Sequence, residues 1–258
     1  MALYFKYFAM QLKSQMQYKA SFLLLTVGNF CMQFSTFLGV YFMFNIFHTV
    51  DGFTYGQVLL CFAVVIMAFS LAEMLGSGFE RLSLMLANGE FDRALVRPRN
   101  IIFQILVSRL TFVRIGATAQ AALVLIWAIP ACGVIWNWDK VLTLGLMILC
   151  GSLIFTALFL IQATFAFFTT EGLEFMNVLT YGGRDHGRYP YSIYGKEVLR
   201  FLTFVIPLAL FQYYPLLYLL DMEQSAVYML SPLFGLLFIV PGYLFFRLGL
   251  RRYKSTGS

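Results

Sequence analysis

GQVLLCFAVVIMAFSLAEML, residues 56–75, decides the fold of this chain. Glu73 is the only charged residue in the run. An α-helix needs roughly 20 mostly apolar residues to cross the ~30 Å hydrocarbon core of a bilayer, where lipid offers no partner to an unpaired backbone amide. The same ruler finds five further runs: about Ala20 to Phe47, about Leu110 to Trp136, Val141 to Phe168, Val198 to Leu220 and Leu230 to Leu250. Composition agrees. The 258 residues are 60% hydrophobic and only 12% charged, against about a quarter charged in an ordinary soluble domain. A soluble enzyme and a disordered tail are excluded. The net charge of +6 gathers into no basic stripe that would track phosphates, which excludes a nucleic-acid module. The sequence predicts an all-α polytopic membrane protein of six transmembrane helices.

An even number of spans puts both termini on one side, and the positive charges choose the side. In this six-span arrangement Lys140 is the sole Lys or Arg on one face and the other seventeen lie on the opposite face, including Lys6, Arg81, Arg97, Arg184, Arg188, Lys196, Arg200, Arg252 and Lys254. Both termini are therefore expected in the cytoplasm. The net charge divides into +9 inside (17 − 8) and −3 outside (1 − 4, with Asp51, Asp139, Asp221 and Glu223). No cleavable signal pattern precedes the first span, which is expected to act as its own insertion signal.

Residues 1–19 form an amphipathic segment. Phe5, Phe8, Leu12 and Met16 recur at helical spacing, while Lys6, Lys13 and Gln17 fall on another face. Two readings are open, a helix lying at the membrane interface with its lysines toward anionic lipid or a cytoplasmic extension of the first span. Residues 20–258 make the transmembrane domain, with short outer connections and two longer cytoplasmic loops, 79–100 and 169–197. The first loop reads FERLSLMLANGEFDRALVRPRN. Asn88-Gly89 signals a turn, Pro98 stops a helix, and Phe91 and Leu95 lie at i and i+4 between them, so a short amphipathic helix is expected there. The second holds Glu171 and Glu174 followed by YGGRDHGRYPYSIYGKE. It lacks phosphate-loop spacing and is expected to be a structured cytoplasmic loop.

The chain has little chemistry of its own. His48 and His186 fall on opposite sides of the membrane, and Cys31, Cys61, Cys132 and Cys150 all fall within spans without metal-type spacing. Glu73, Arg109 and Arg114 come closest to being intramembrane charges, and Glu73 is expected to pair with an arginine near the cytoplasmic ends. Uncharged polar residues are more telling. Asn29, Gln33 and Thr36 stack along one face of the first span, and Gln120, Gln162 and Gln212 sit in the third, fourth and fifth. Such groups either hydrogen-bond between helices or line a path for an amphiphile. Pro207 and Pro215 allow a bend in the fifth span.

Four features together resemble the permease subunits of bacterial type-2 ABC exporters that lack an ATPase domain. They are the N-terminal amphipathic segment, GEFDRALVRPRN (89–100), YPYSIYGKEVLRFLTFVIPLALFQYYP (189–215) and the end RLGLRRYKSTGS (247–258). The likeness implies a bacterial cytoplasmic membrane and a coupling helix between the second and third spans, with Glu90, Phe91, Asp92, Arg93, Leu95 and Arg97 as its contact surface and Phe91 and Leu95 as its apolar anchors. It implies an ABC ATPase dimer as partner, which would bind ATP and Mg while this chain binds no cofactor. It also implies a second permease subunit, in a homodimer or a heterodimer. Many such permeases carry a re-entrant outer hairpin before the last span. Here either the hairpin is absent or residues 189–215 supply it, which would displace the fifth span and move Arg184, Arg188, Lys196 and Arg200 outward. The charge rule favours the undisplaced arrangement. A non-transporting partner or immunity subunit and an ion-coupled carrier are the competing functions, and drugs, lipids, peptides and glycolipids all suit the aromatic, methionine-rich spans as substrates.

Overall fold

The computed structural model describes residues 2–169 and 174–253; Glu171, Lys254 and the side chain of Phe5 lie outside the described residues. The described chain is all-helical. Helix α1 (Ala2–Gln15) leads through a 3-10 turn into α2 (Lys19–Ile46), and α3 (Tyr55–Glu80) returns. Three short helices follow, α4 (Leu82–Ala87), α5 (Glu90–Leu95) and α6 (Ile101–Ser108), and then α7 (Ile115–Ala131) and α8 (Trp138–Phe165). The remainder comprises α9 (Phe175–Leu179), α10 (Tyr181–His186), α11 (Lys196–Phe204), α12 (Leu208–Leu219), α13 (Ala226–Gly235) and α14 (Ile239–Arg252). Both described termini lie at one end of the bundle. There the Gln11 amide donates to the Ser108 carbonyl (3.2 Å) and the Tyr253 hydroxyl donates to Asp92 (3.0 Å).

Helix α3, opened by a Thr54/Gln57 capping box, is the axis of the bundle. It is mostly buried, between α7 on one side and α8 on the other. Two apolar clusters surround it. One holds Phe69, Phe155, Phe159 and Phe211, and the other holds Phe62, Val58, Phe37, Met147 and Leu216. Close approach depends on glycine at two positions, since a Cβ on Gly78 would lie 2.0 Å from the Ile105 carbonyl oxygen and one on Gly116 would lie 2.0 Å from that of Thr26. Helix α2 is peripheral, touching α7 and the 3-10 turn Phe112–Arg114 and leaving Leu24 and Met32 72% exposed.

Among the described residues, five helical runs are long and apolar enough to cross a membrane: Lys6–Ile46, Tyr55–Ala87, Phe112–Ala131, Trp138–Phe165 and Ala226–Arg252. The first run is 41 residues long, about twice what a bilayer core requires. Its α1 part extends beyond the span and docks on α6. Gln15 donates to the Leu110 carbonyl and accepts from the Phe112 amide (3.0 Å), and the Phe8 ring meets Phe112 edge-on at 4.7 Å.

The fifth crossing departs from the sequence expectation. Helices α11 and α12 meet at 112° across the break at Val205–Pro207, and both outer ends of the pair lie at the end opposite the termini. Just before α11, the Ser192 hydroxyl donates to Asp51 in the α2–α3 turn (2.7 Å). Just after α12, Asp221 pairs with Lys140 at the start of α8 (2.7 Å). The pair enters and leaves from one side as a re-entrant hairpin. The crossing is made instead by residues 175–194. Gln162 of α8 meets Asn177 (3.1 Å), Tyr181 donates to Glu80 (2.7 Å), and the Cys61 thiol meets the Gly187 carbonyl (3.4 Å). Glu80 and Cys61 are separated by roughly 28 Å of helix at 1.5 Å per residue.

The placement of a fifth span at Val198 to Leu220, and of residues 169–197 as a loop beside the termini, is thus corrected. Gly182, Gly183, Gly187 and Pro190 break the segment into short helices, and its arginines remove the apolar signature of a span. Asp185 offsets part of that charge, standing 2.7 Å from Arg184 and 2.8 Å from Arg188. Lys196 and Arg200 move to the far end, where they join Lys140.

This crossing has a direct test. With native cysteines replaced, Ser192→Cys is expected to react with a membrane-impermeant maleimide from the face opposite to Arg97→Cys. Labelling of both from the same face would contradict it.

Candidate functional site

Two groups of residues stand out, a short helix at the termini's end and a set of polar side chains along the spans. The helix is α5. Gly89, at a φ of 67° that favours glycine, turns the chain after α4. Asn100 caps α6 by accepting from the Ile102 (3.0 Å) and Phe103 (3.3 Å) amides. Gln104 ties the two together, donating to the carbonyls of Ala94 (3.0 Å) and Arg99 (3.1 Å).

The faces of α5 divide the six expected contact residues. Phe91 is fully buried, edge-on to Phe167 just past α8 (5.4 Å) and to Tyr253 just past α14 (5.0 Å). Glu90 pairs with Arg81 (3.1 Å), and Asp92 accepts from Tyr253. Burial, and then the bond to Asp92, raise the Tyr253 phenol above its ordinary pKa. The expectation that Phe91 is an outward anchor is therefore corrected, because its ring fastens α5 to the ends of two spans. Arg93, Leu95 and Arg97 face outward. The most exposed apolar residue here is Val96, at 83%, beside Leu95 at 43%. Val96 was not singled out from the sequence because it closes a six-residue helix, where a two-turn periodicity cannot say which face a terminal residue takes.

Along the spans, Glu73 is buried on α3 and pairs with Arg114 (2.7 Å), which also donates to Asn29 of α2 (2.9 Å). One arginine thus ties three membrane elements together. Gln33 and Gln120 lie farther along the same helix pair. Gly116 abuts Thr26, and the Phe37 and Trp127 rings are 5.7 Å apart, so α2 and α7 run parallel with the two glutamines about one helical turn apart. The Gln33 Oε1 and both amide atoms of Gln120 are buried without a hydrogen-bond partner among the described residues. Thr36 bonds its own helix, donating to the Met32 carbonyl (3.1 Å).

Gln162 and Gln212 act differently, since both hold the broken crossing. Gln162 donates to Asn177. The Gln212 amide donates to the carbonyls of Tyr189 (2.9 Å) and Gly187 (3.2 Å) and contacts the Cys61 sulfur. The sequence reading missed the charged face of α10, where Arg184 lies 4.9 Å above the Phe69 ring and 5.4 Å from that of Tyr181. The signal was present as Arg184, Asp185 and Arg188 clustered within five residues, obscured by the glycines around them. Among the described residues no group of three or more His, Cys, Asp or Glu is placed to hold a metal. The arrangement provides interhelical polar contacts and an exposed apolar tip at Leu95 and Val96.

A family model described as "ABC-2 family transporter protein" matches residues 30–257. No curated protein and no solved structure matches the chain.

The Glu73–Arg114 pair yields a stability prediction. Removing one partner of a buried ion pair typically destabilises by about 3–5 kcal/mol. Arg114→Ala is expected to lower the melting temperature of the detergent-solubilised protein, and pairing it with Glu73→Gln is expected to recover much of the loss. An Arg114→Ala melt equal to wild type would contradict this.

Proposed function

The chain belongs to the ABC-2 transporter family, and we propose that it is the permease subunit of an ATP-driven exporter, forming half of the translocation pathway and coupling to separate nucleotide-binding subunits. Family membership makes it a multi-pass membrane transport component. The observation that carries the finer reading is the build of α5, whose inner face is clamped by Phe91 to the ends of α8 and α14 while Leu95 and Val96 stand exposed between Arg93 and Arg97. A load applied to that tip by a docked subunit passes through the Phe91–Phe167–Tyr253 cluster into two spans.

In this reading an ABC ATPase dimer binds ATP and Mg, docks on α5 of each permease and drives a rigid-body change between inward and outward access. The second permease is another copy of this chain or a related one. Asn29, Gln33 and Gln120 contribute polar groups to the pathway, whereas Gln162 and Gln212 serve the crossing segment. The termini face the cytoplasm of a bacterial cell. With the fifth crossing relocated, most Lys and Arg still gather at the termini's end, and Lys140, Lys196 and Arg200 stand at the other, as the positive-inside rule favours. Pairing of Glu73 with Arg114 leaves it poorly suited to the carboxylate of an ion-coupled carrier.

Val96→Asp and Phe91→Ala separate docking from anchoring. Val96→Asp is expected to cut co-purification with the cognate ATPase, and ATP-dependent export, by about tenfold or more, with the melting temperature unchanged. Phe91→Ala is expected to destabilise by about 3–5 kcal/mol as for other buried Phe truncations. Export and ATPase binding unaffected by Val96→Asp would sink the coupling proposal.

A further inference from the structure

A cleft of about 570 Å³ opens between α1, the start of α2 and the chain joining α6 to α7. Its walls are of two kinds. Phe22, Leu25, Leu84 and Val113 supply apolar surface, and Arg81 and Arg109 supply positive charge. Ser14, Tyr18 and Ser21 add hydroxyl groups. Arg81 is engaged with Glu90, whereas Arg109 has no ion-pair partner among the described residues. Among the described residues no acidic side chain lines the cleft, and with Arg81 shared with Glu90 the uncompensated positive charge is that of Arg109.

The location sharpens the chemistry. The Ser77 hydroxyl donates to the Arg109 carbonyl (3.2 Å), and the Thr111 amide donates to that of Met74 (3.1 Å). The arginine is thus held beside the last turns of α3, at the level where a span gives way to the interface. On the α2 side the cleft adjoins Leu23, Leu24 and Leu25, each more than half exposed and facing outward from a peripheral span. A guanidinium presents a planar fork of donors suited to phosphate oxygens, and hydroxyl groups complete such a shell. Free phosphate has no use for four apolar walls, but a headgroup attached to an acyl chain does.

We propose that this cleft binds the phosphate headgroup of an anionic phospholipid-type amphiphile, with Arg109 as the principal cation, Arg81 as the second and the Phe22–Leu25 wall against the adjoining chain. The site does not rest on coupling to an ATPase. Its one link to α5 is Arg81, which the headgroup shares with Glu90.

Native mass spectrometry of the detergent-solubilised full chain tests the assignment, using dioctanoyl phosphatidylglycerol, dioctanoyl phosphatidylcholine and inorganic phosphate as probes. Phosphatidylglycerol is expected to be retained about tenfold better than phosphatidylcholine. Arg109→Gln is expected to abolish that preference, and so is Ser21→Trp, which fills the cleft without changing its charge; Arg252→Gln is expected to preserve it. Equal retention of the two lipids, or a preference that survives Arg109→Gln and Ser21→Trp, would overturn the proposal. So would inorganic phosphate displacing phosphatidylglycerol at equal concentration, which would assign the site to a free anion. Should Arg109→Gln fail to fold, Ser21→Trp decides.

Discussion

A backbone carbonyl inside a membrane has no water to bond, and this requirement is most exposed where residues 187–195 cross without a continuous helix. Gln212 meets it. Its amide bonds the carbonyls of Gly187 and Tyr189 and sits against Cys61, so one buried side chain of the re-entrant hairpin secures the crossing that precedes it. Several other features depend on that clamp. It brings Ser192 to Asp51, leaves α11 and α12 to fold back on one side, and sets the charged face of α10 against Phe69. Buried polar contacts of this kind are well supported in a membrane because their unpaired alternative is costly.

The bundle has two mechanical parts. Helices α3, α7 and α8 form a tightly packed centre, in which Gly56 of α3 lets the Ala131 backbone of α7 approach, while Gly78 and Gly116 admit α6 and α2 against it. Around it, α2 packs along one side only, and α1 is held to the end of α6 by Gln11 and to the turn after it by Gln15 and a ring contact. Phe91 joins α5 to the ends of α8 and α14 at the boundary between the centre and the short helices. Relative motion is easiest for the lightly packed elements, and α5 is fastened to the rigid ones. A docked subunit would therefore act on spans and not on a loose loop.

Much of this was legible in the sequence. Hydropathy placed five of the crossings within a few residues of helices α2, α3, α7, α8 and the α13–α14 run, because each is a long apolar stretch whose period-independent signal survives without knowledge of packing. Asn88-Gly89 and Pro98 bracketed α5 correctly for the reason given by their backbone preferences. The fifth crossing was illegible because glycines, a proline and two arginines are also the marks of a loop, and only the tertiary bonds of Gln212, Cys61 and Asp51 distinguish the two. The charge rule misled there for a related cause: Arg184 and Arg188 share Asp185 within the protein, so they do not report the side of the membrane. The orientation of Phe91 was illegible because an amphipathic helix shows that it has an apolar face without showing whether its own chain or a partner covers it.

The most direct measurement is a cross-link between Asp51→Cys and Ser192→Cys, formed by mild oxidation in native membranes with the other cysteines replaced. The contact of 2.7 Å between the native side chains predicts rapid, near-complete disulfide formation, and none between Ser192→Cys and Arg97→Cys. Cross-linking of Ser192→Cys to Arg97→Cys, with Asp51→Cys left free, would return residues 187–195 to the end that carries the termini and contradict the crossing on which the account depends.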